Sequence, residues 1–146
     1  MDSYSAVCQS IGNKLVNSNV LWSDRVYLDE APIQVNGIAI NKPYIIYSFV
    51  SGGNTQKTKQ IYDMYRFQVA IYSTSKTTAI TGNQDIVNLL ENKGVLDYPN
   101  DPMPKIDRFV ITTIHRLEHI SDIDHVQGSY QVYREGDNYE ITVQTV

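Results

Sequence analysis

The run IYDMYRFQVAIY, residues 61–72, alternates in polarity and then stops against the hydroxyl-rich STSKTT, residues 73–78. A period of two is the pattern of a β-strand. Ile61, Phe67, Val69 and Ile71 fall on one face with Asp63 and Tyr65; Tyr62, Met64, Arg66, Gln68, Ala70 and Tyr72 fall on the other. A strand this long needs neighbours and a cover for its apolar face, and the flanking sequence offers both. PYIIYSFV, residues 43–50, is apolar on both faces, as a central strand is. The polar SGGNTQKTKQ, residues 51–60, joins the two as a long hairpin. IDRFVITTIHRLEHI, residues 106–120, is rich in β-branched residues and reads as a further long strand.

Two segments carry helical spacing. In residues 3–18, Val7, Ile11 and Leu15 make one stripe, with Ser3 placed to cap the start and Gly12 weakening the middle. In residues 77–92, Ile80, Val87 and Leu90 share a face flanked by Ile86 and Leu89, and Lys93-Gly94 suits the end. A short strand is expected at Arg25–Leu28, and Asn36-Gly37 between Ile33/Val35 and Ile38/Ile40 signals a small hairpin. Residues 96–105 hold three prolines and form a loop. SDIDHVQG, residues 121–128, reads as a turn, and residues 129–146 as a final hairpin turning at Gly136-Asp137-Asn138. The order helix, strands, helix, strands predicts an α+β fold. Its sheet is mostly antiparallel with long hairpins, and the two main helices pack on one face.

The chain has 146 residues, the size of one domain spanning 1–146. Its 42% hydrophobic content is too high for a disordered chain. A net charge of −4 argues against general nucleic-acid binding, which needs a basic face. The single Cys8 has no partner for a disulfide or a cysteine metal site. The first ten residues lack a signal-peptide pattern, and the longest apolar run, Tyr44–Val50, falls far short of the roughly 20 residues of a membrane helix. The expectation is a soluble protein made in the cytoplasm, with no membrane contact.

Candidate chemistry is sparse. A strand, a Lys beside Thr and a helix outline a phosphate-binding loop, but residues 73–80 hold no glycine and the GxxxxGK[ST] pattern is absent. Ser75 or Thr77 as a helix cap accounts for the hydroxyls. HRLEHISDIDH, residues 115–125, gathers His115, His119 and His125 with Glu118, Asp122 and Asp124. On a strand, His115 and His119 share a face but stand roughly 13 Å apart, too far to hold one ion. GxSxG is absent, Cys8 has no local base, and the pairs Asp122/Asp124 and Asp97/Asp101 read as solvated loop carboxylates. No catalytic residue, metal or cofactor is assigned. Lys57 and Lys59, on a hairpin tip of an acidic protein, are candidates for a contact that orders on assembly.

Several stretches resemble one family. They are Arg25-Val26-Tyr27 before a Pro-containing loop, KPYIIYSFVSGG running into a glycine turn, YRFQVAIYSTSKTTA as strand-then-helix, and Gly128 before aromatic and β-branched strands. The order is similar to that of the tail terminator, or tail completion, proteins of long-tailed bacteriophages. The resemblance covers most of the chain in outline and residues 43–92 best, with residues 29–42 as an insertion. It implies a non-enzymatic virion protein at the tail–neck junction, made in the bacterial host cytoplasm. Six subunits would form a ring that caps the tail tube, stops its polymerisation and meets the head connector. DNA would pass through the lumen without specific binding. A head–tail adaptor of the neck is the alternative within this class; a small metal- or ligand-binding enzyme using His115, His119 and His125 is the alternative outside it. A head-to-tail ring needs two different complementary patches. Lys57 and Lys59 facing Asp122 and Asp124 are the candidate pair.

Overall fold

A computed structural model describes residues 1–18, 25–31, 34–35, 38–39, 43–52, 62–91, 102–127 and 130–146. The elements in chain order are α1 (Ser3–Val16), β1 (Val26–Leu28), β2 (Gln34–Val35), β3 (Ile38–Ala39), β4 (Tyr44–Gly52), β5 (Tyr62–Ser73), α2 (Lys76–Leu90), β6 (Phe109–Gln127) and β7 (Tyr130–Thr145). The fold is α+β. A five-stranded sheet runs β1-β4-β5-β7-β6, and among the described residues β2 pairs with β3 alone. Every pairing is antiparallel except β1 with β4. Because parallel neighbours need a crossover, the chain between β1 and β4 cannot be a simple turn; β2 and β3 pair within that crossover, and the Asn36-Gly37 turn expected between them lies outside the described residues.

The alternation in β5 sorts its residues as read. Tyr65, Phe67, Val69 and Ile71 are buried on the helix-bearing face, together with Ile45 and Tyr47 of β4 and Tyr139, Ile141 and Val143 of β7. Both helices cover this face and share its core. α1 contributes Val7, Ile11 and Leu15; α2 contributes Ala79, Ile86 and Leu90. Gly12 is where a Cβ would stand 2.6 Å from the Tyr47 hydroxyl, so the helix trades local propensity for a close approach to the sheet. Ile80 does not join the expected stripe: it is 51% exposed, and Ala79 and Asn83 take the inner positions.

The caps divide. Ser75 caps α2, its Oγ accepting from the Thr78 N–H. At α1 the cap is Asp2, not Ser3; its carboxylate accepts from the Ser5 N–H, which lowers its pKa. Ser3 instead donates into the sheet, to Asp63, and its Oγ accepts from the Tyr65 hydroxyl.

Two expected turns are strand. Residues 121–127 continue β6, and Gly136-Asp137-Asn138 lies in the middle of the 16-residue β7, paired with Ala70, Val69 and Gln68 of β5. At Gly136 a Cβ would stand 2.6 Å from the Ala70 Cβ and 2.6 Å from the Val69 carbonyl oxygen. The glycine marks a close approach between strands, not a reversal. Strand β7 is therefore interior, and the hairpin expected within residues 129–146 is instead this single strand, paired with β5 and β6.

Register ties the sheet into rows. One row reads Val26–Ile45–Ile71–Glu135–Ser121; a second, Leu28–Tyr47–Val69–Asp137–His119; a third, Phe49–Phe67–Tyr139–Arg116. In β6 the register shifts between Ile111 and Thr113, between Arg116 and His119, and between Ile123 and His125.

Candidate functional site

The middle shift in β6 decides where its histidines go. His115 pairs with Glu140 and His119 with Asp137, three residues apart on β7. An odd spacing on a strand means opposite faces. The two histidines thus do not share a face as expected: His115 is on the helix-free side, and the bulge at Leu117-Glu118 turns His119 to the helix side. The backbone of His125 pairs with Val132. Among the described residues no group of three or more His, Cys, Asp or Glu side chains could hold a metal ion.

His119 instead closes a polar cluster between α2 and β6. Its Nδ1 lies 3.2 Å from Asp137 Oδ1 and its Nε2 3.0 Å from Glu135 Oε2. Both carboxylates are buried, Asp137 to 1% exposure and Glu135 to 3%. Asn83 of α2 donates to Asp137 at 2.9 Å, Ser121 donates to Glu135, and Arg116 stands 4.0 Å from Asp137. The Tyr139 hydroxyl lies deeper, its pKa pushed up by burial and then by Asp137. Buried carboxylates need charged or hydrogen-bonding partners, and here two elements, α2 and β6, supply them to β7. Chemically the cluster is a clamp. Ser121 is held by Glu135, not by His119, so no nucleophile–base pair is formed.

A second polar contact lies on the helix-free face. Asp122 accepts from Arg134 in a two-point pair, Nε to Oδ1 at 2.9 Å and a terminal nitrogen to Oδ2 at 2.5 Å. This bond is the main cause that raises the Arg134 pKa. Beside it, Tyr44 stacks on Tyr72 with centroids 5.1 Å apart, over Ala70, Val132 and Ile46. Burial pushes the Tyr44 pKa up to about 12, with Asp124 and Tyr72 adding to it. Asp122 and Asp124 are therefore strand residues on β6, not turn residues. Lys57, Lys59, Asp97 and Asp101 lie outside the described residues. Cys8 is buried in α1, and burial raises its thiol pKa.

The sheet has two open edges among the described residues. The 19-residue β6 forms one. At the other, β1 pairs only with Ile45–Tyr47, leaving the outer edge of Ser48–Gly52 without a strand. Large apolar side chains are exposed along both: Leu28, Phe49 and Val50 on the β1/β4 side, Leu117 and Ile123 on β6. Sequence reasoning did not single out Asn83, Glu135, Asp137 or Arg134. The recurrence of Glu135 and Asp137 at a spacing of two was the available signal, hidden by the turn-like Gly-Asp-Asn. No helix among the described residues is long and apolar enough to cross a membrane.

No protein-family model matches the chain, and no curated protein is significantly similar to it. Among solved structures, the fold is similar to a chain in the virion of a native gene transfer agent particle. The TM-score is 0.67 at 13% identity, covering 97% of this chain and 96% of the other.

Proposed function

We propose that this protein is a non-enzymatic structural component of a phage-like virion, acting as the tail terminator. The supporting observation is the fold shared along nearly its whole length with a chain of a gene transfer agent virion. In this reading about six copies close into a ring on the head-proximal end of the tail tube. The ring stops tube growth and offers its other side to the head connector. A heterologous contact repeated by rotation closes such a ring, and it requires two unlike surfaces on each subunit. The two sheet edges are unlike in length, charge and side chains. DNA would cross the lumen without a specific site; an acidic chain suits a passage that must not grip phosphates.

Absolute mass by light scattering across a concentration series, with negative-stain images of the heaviest fraction, tests the reading. Closed assemblies of about six subunits are expected. A chain that stays monomeric at every concentration overturns it.

A further inference from the structure

We propose that neighbouring subunits join edge to edge. The outer edge of β6 in one copy would pair antiparallel with the β1/β4 edge of the next, so that the sheet continues across the boundary. The inference rests on the assembly reading above and names its contact.

Strand direction permits it. β6 runs opposite to β7, β7 opposite to β5, β5 opposite to β4, and β1 runs with β4. Hence β6 runs opposite to β1 and β4. A copy placed alongside by rotation about an axis along the strands keeps those directions, and its edge meets β6 in the antiparallel sense. For strands set along that axis, with no tilt to stagger the register, residues of one row meet at one level. At the level of Arg25, which precedes the Val26–Ser121 row, β6 offers Asp122 and then Asp124. Asp29 and Glu30 follow Leu28 at the other end of β1, and both are exposed. The chain turns there, with Asp29 at φ 67° and the Glu30 N–H donating to the Leu28 carbonyl, so both acids stay near the Leu28 row, whose β6 end is followed by the bulge and then Arg116. Glu118, in the bulge, is a carboxylate beside Arg116 on the same edge. The edges thus offer opposite charges at two levels, Arg25 near Asp122 and Asp124, and Asp29 and Glu30 near Arg116; within one copy Arg25 donates to the Pro43 carbonyl, Asp122 holds Arg134, and Arg116 lies 4.0 Å from Asp137. Exposed Leu28, Phe49 and Val50 on one edge and Leu117 and Ile123 on the other supply apolar contact. Open strand edges are templates for pairing with another chain, and charge complementarity would fix the register.

Paired cysteines test it, in a Cys8→Ser background. Leu28 and Leu117 are 41% and 44% exposed, so L28C and L117C leave the core intact. Within one chain the two edges stand about 19 Å apart, four strand spacings, too far for an internal disulfide. The double variant should oxidise into a ladder of linked oligomers. A mixture of the two single variants should give dimers, about tenfold more than either variant alone, because only mixed pairs meet at disulfide distance. Rings that form without a ladder overturn the edge contact and leave the terminator reading standing. A ladder that grows into open filaments supports the edge contact and overturns the ring. Efficient dimers from L117C alone show two β6 strands pairing symmetrically, and overturn the proposal. Neither ladder nor oligomer overturns both. Glu30→Arg should weaken assembly at low salt; unchanged assembly removes the charge argument.

Discussion

Gly136 carries much of what distinguishes this sheet at the scale of single residues. Its missing side chain lets β7 lie against Ala70 and Val69 of β5. The next residue, Asp137, is free to turn toward α2 and anchor the clamp of Asn83 and His119. Gly136→Ala should destabilise the fold by about 1–3 kcal/mol, the cost of overpacking a close contact. Ala70→Gly added to it should recover part of the loss, read from urea unfolding midpoints. The sequence misled here because glycine, aspartate and asparagine serve turns and close strand contacts by the same properties: small size and local hydrogen bonding. Only the register with β5 separates the two uses. A second residue-scale outcome concerns alkali. Burial raises the Tyr44 pKa from 10 to about 12, so the folded state holds a proton that the unfolded chain releases. That contribution is fully present below about pH 10 and is lost as pH rises through about 12. Tyr44→Phe should therefore flatten the loss of stability between pH 10 and 12, measured by urea titration at fixed pH. An unchanged slope would assign that loss to other groups.

Element by element, strands and helices followed local pattern where their environment is one-sided. The stripe of Val7, Ile11 and Leu15 in α1 and the alternation in β5 both face the same core, and both were readable. Ser75 was readable as a cap, since a hydroxyl before a helical run has a local partner. Ser75→Ala should cost about 0.5–2 kcal/mol by leaving the Thr78 N–H unbonded; a thermal unfolding midpoint equal to the parent's would show that water replaces the bond. Ile80 was misplaced because one turn at a helix start has too few neighbours to fix which side faces in. The bulges of β6 were invisible for a stricter reason. A bulge exists only relative to the partner strand, and nothing in FVITTIHRLEHI states where β7 will skip a residue. That skip separates His115 from His119, so no inspection of their spacing could have placed His119 over two buried carboxylates.

Taken whole, the described residues form a helix-covered sheet with two unlike open edges, and the proposed assembly would use those edges. The α+β architecture was legible because the order of elements sets the layers. The clamp was not, since its members come from α2, β6 and β7 and meet only after the sheet forms. Lys57 and Lys59 follow the β4 edge in the chain by a few residues. If they help seat the neighbouring subunit, Lys57→Glu with Lys59→Glu should lower the assembled fraction without shifting the unfolding midpoint; equal assembly would discard that role. The placement of β7 bears on how the chain is made. Of the strands in this sheet it is last in the chain yet lies inside, between β5 and β6. A growing polypeptide therefore carries the β4–β5 hairpin with one flank bare until residues 130–145 have emerged. Early in its life the sheet is missing its middle rather than its end. Crowded synthesis, with many nascent copies side by side, puts that bare flank within reach of another chain's β7, and exchange of strands is the hazard the cell must outpace.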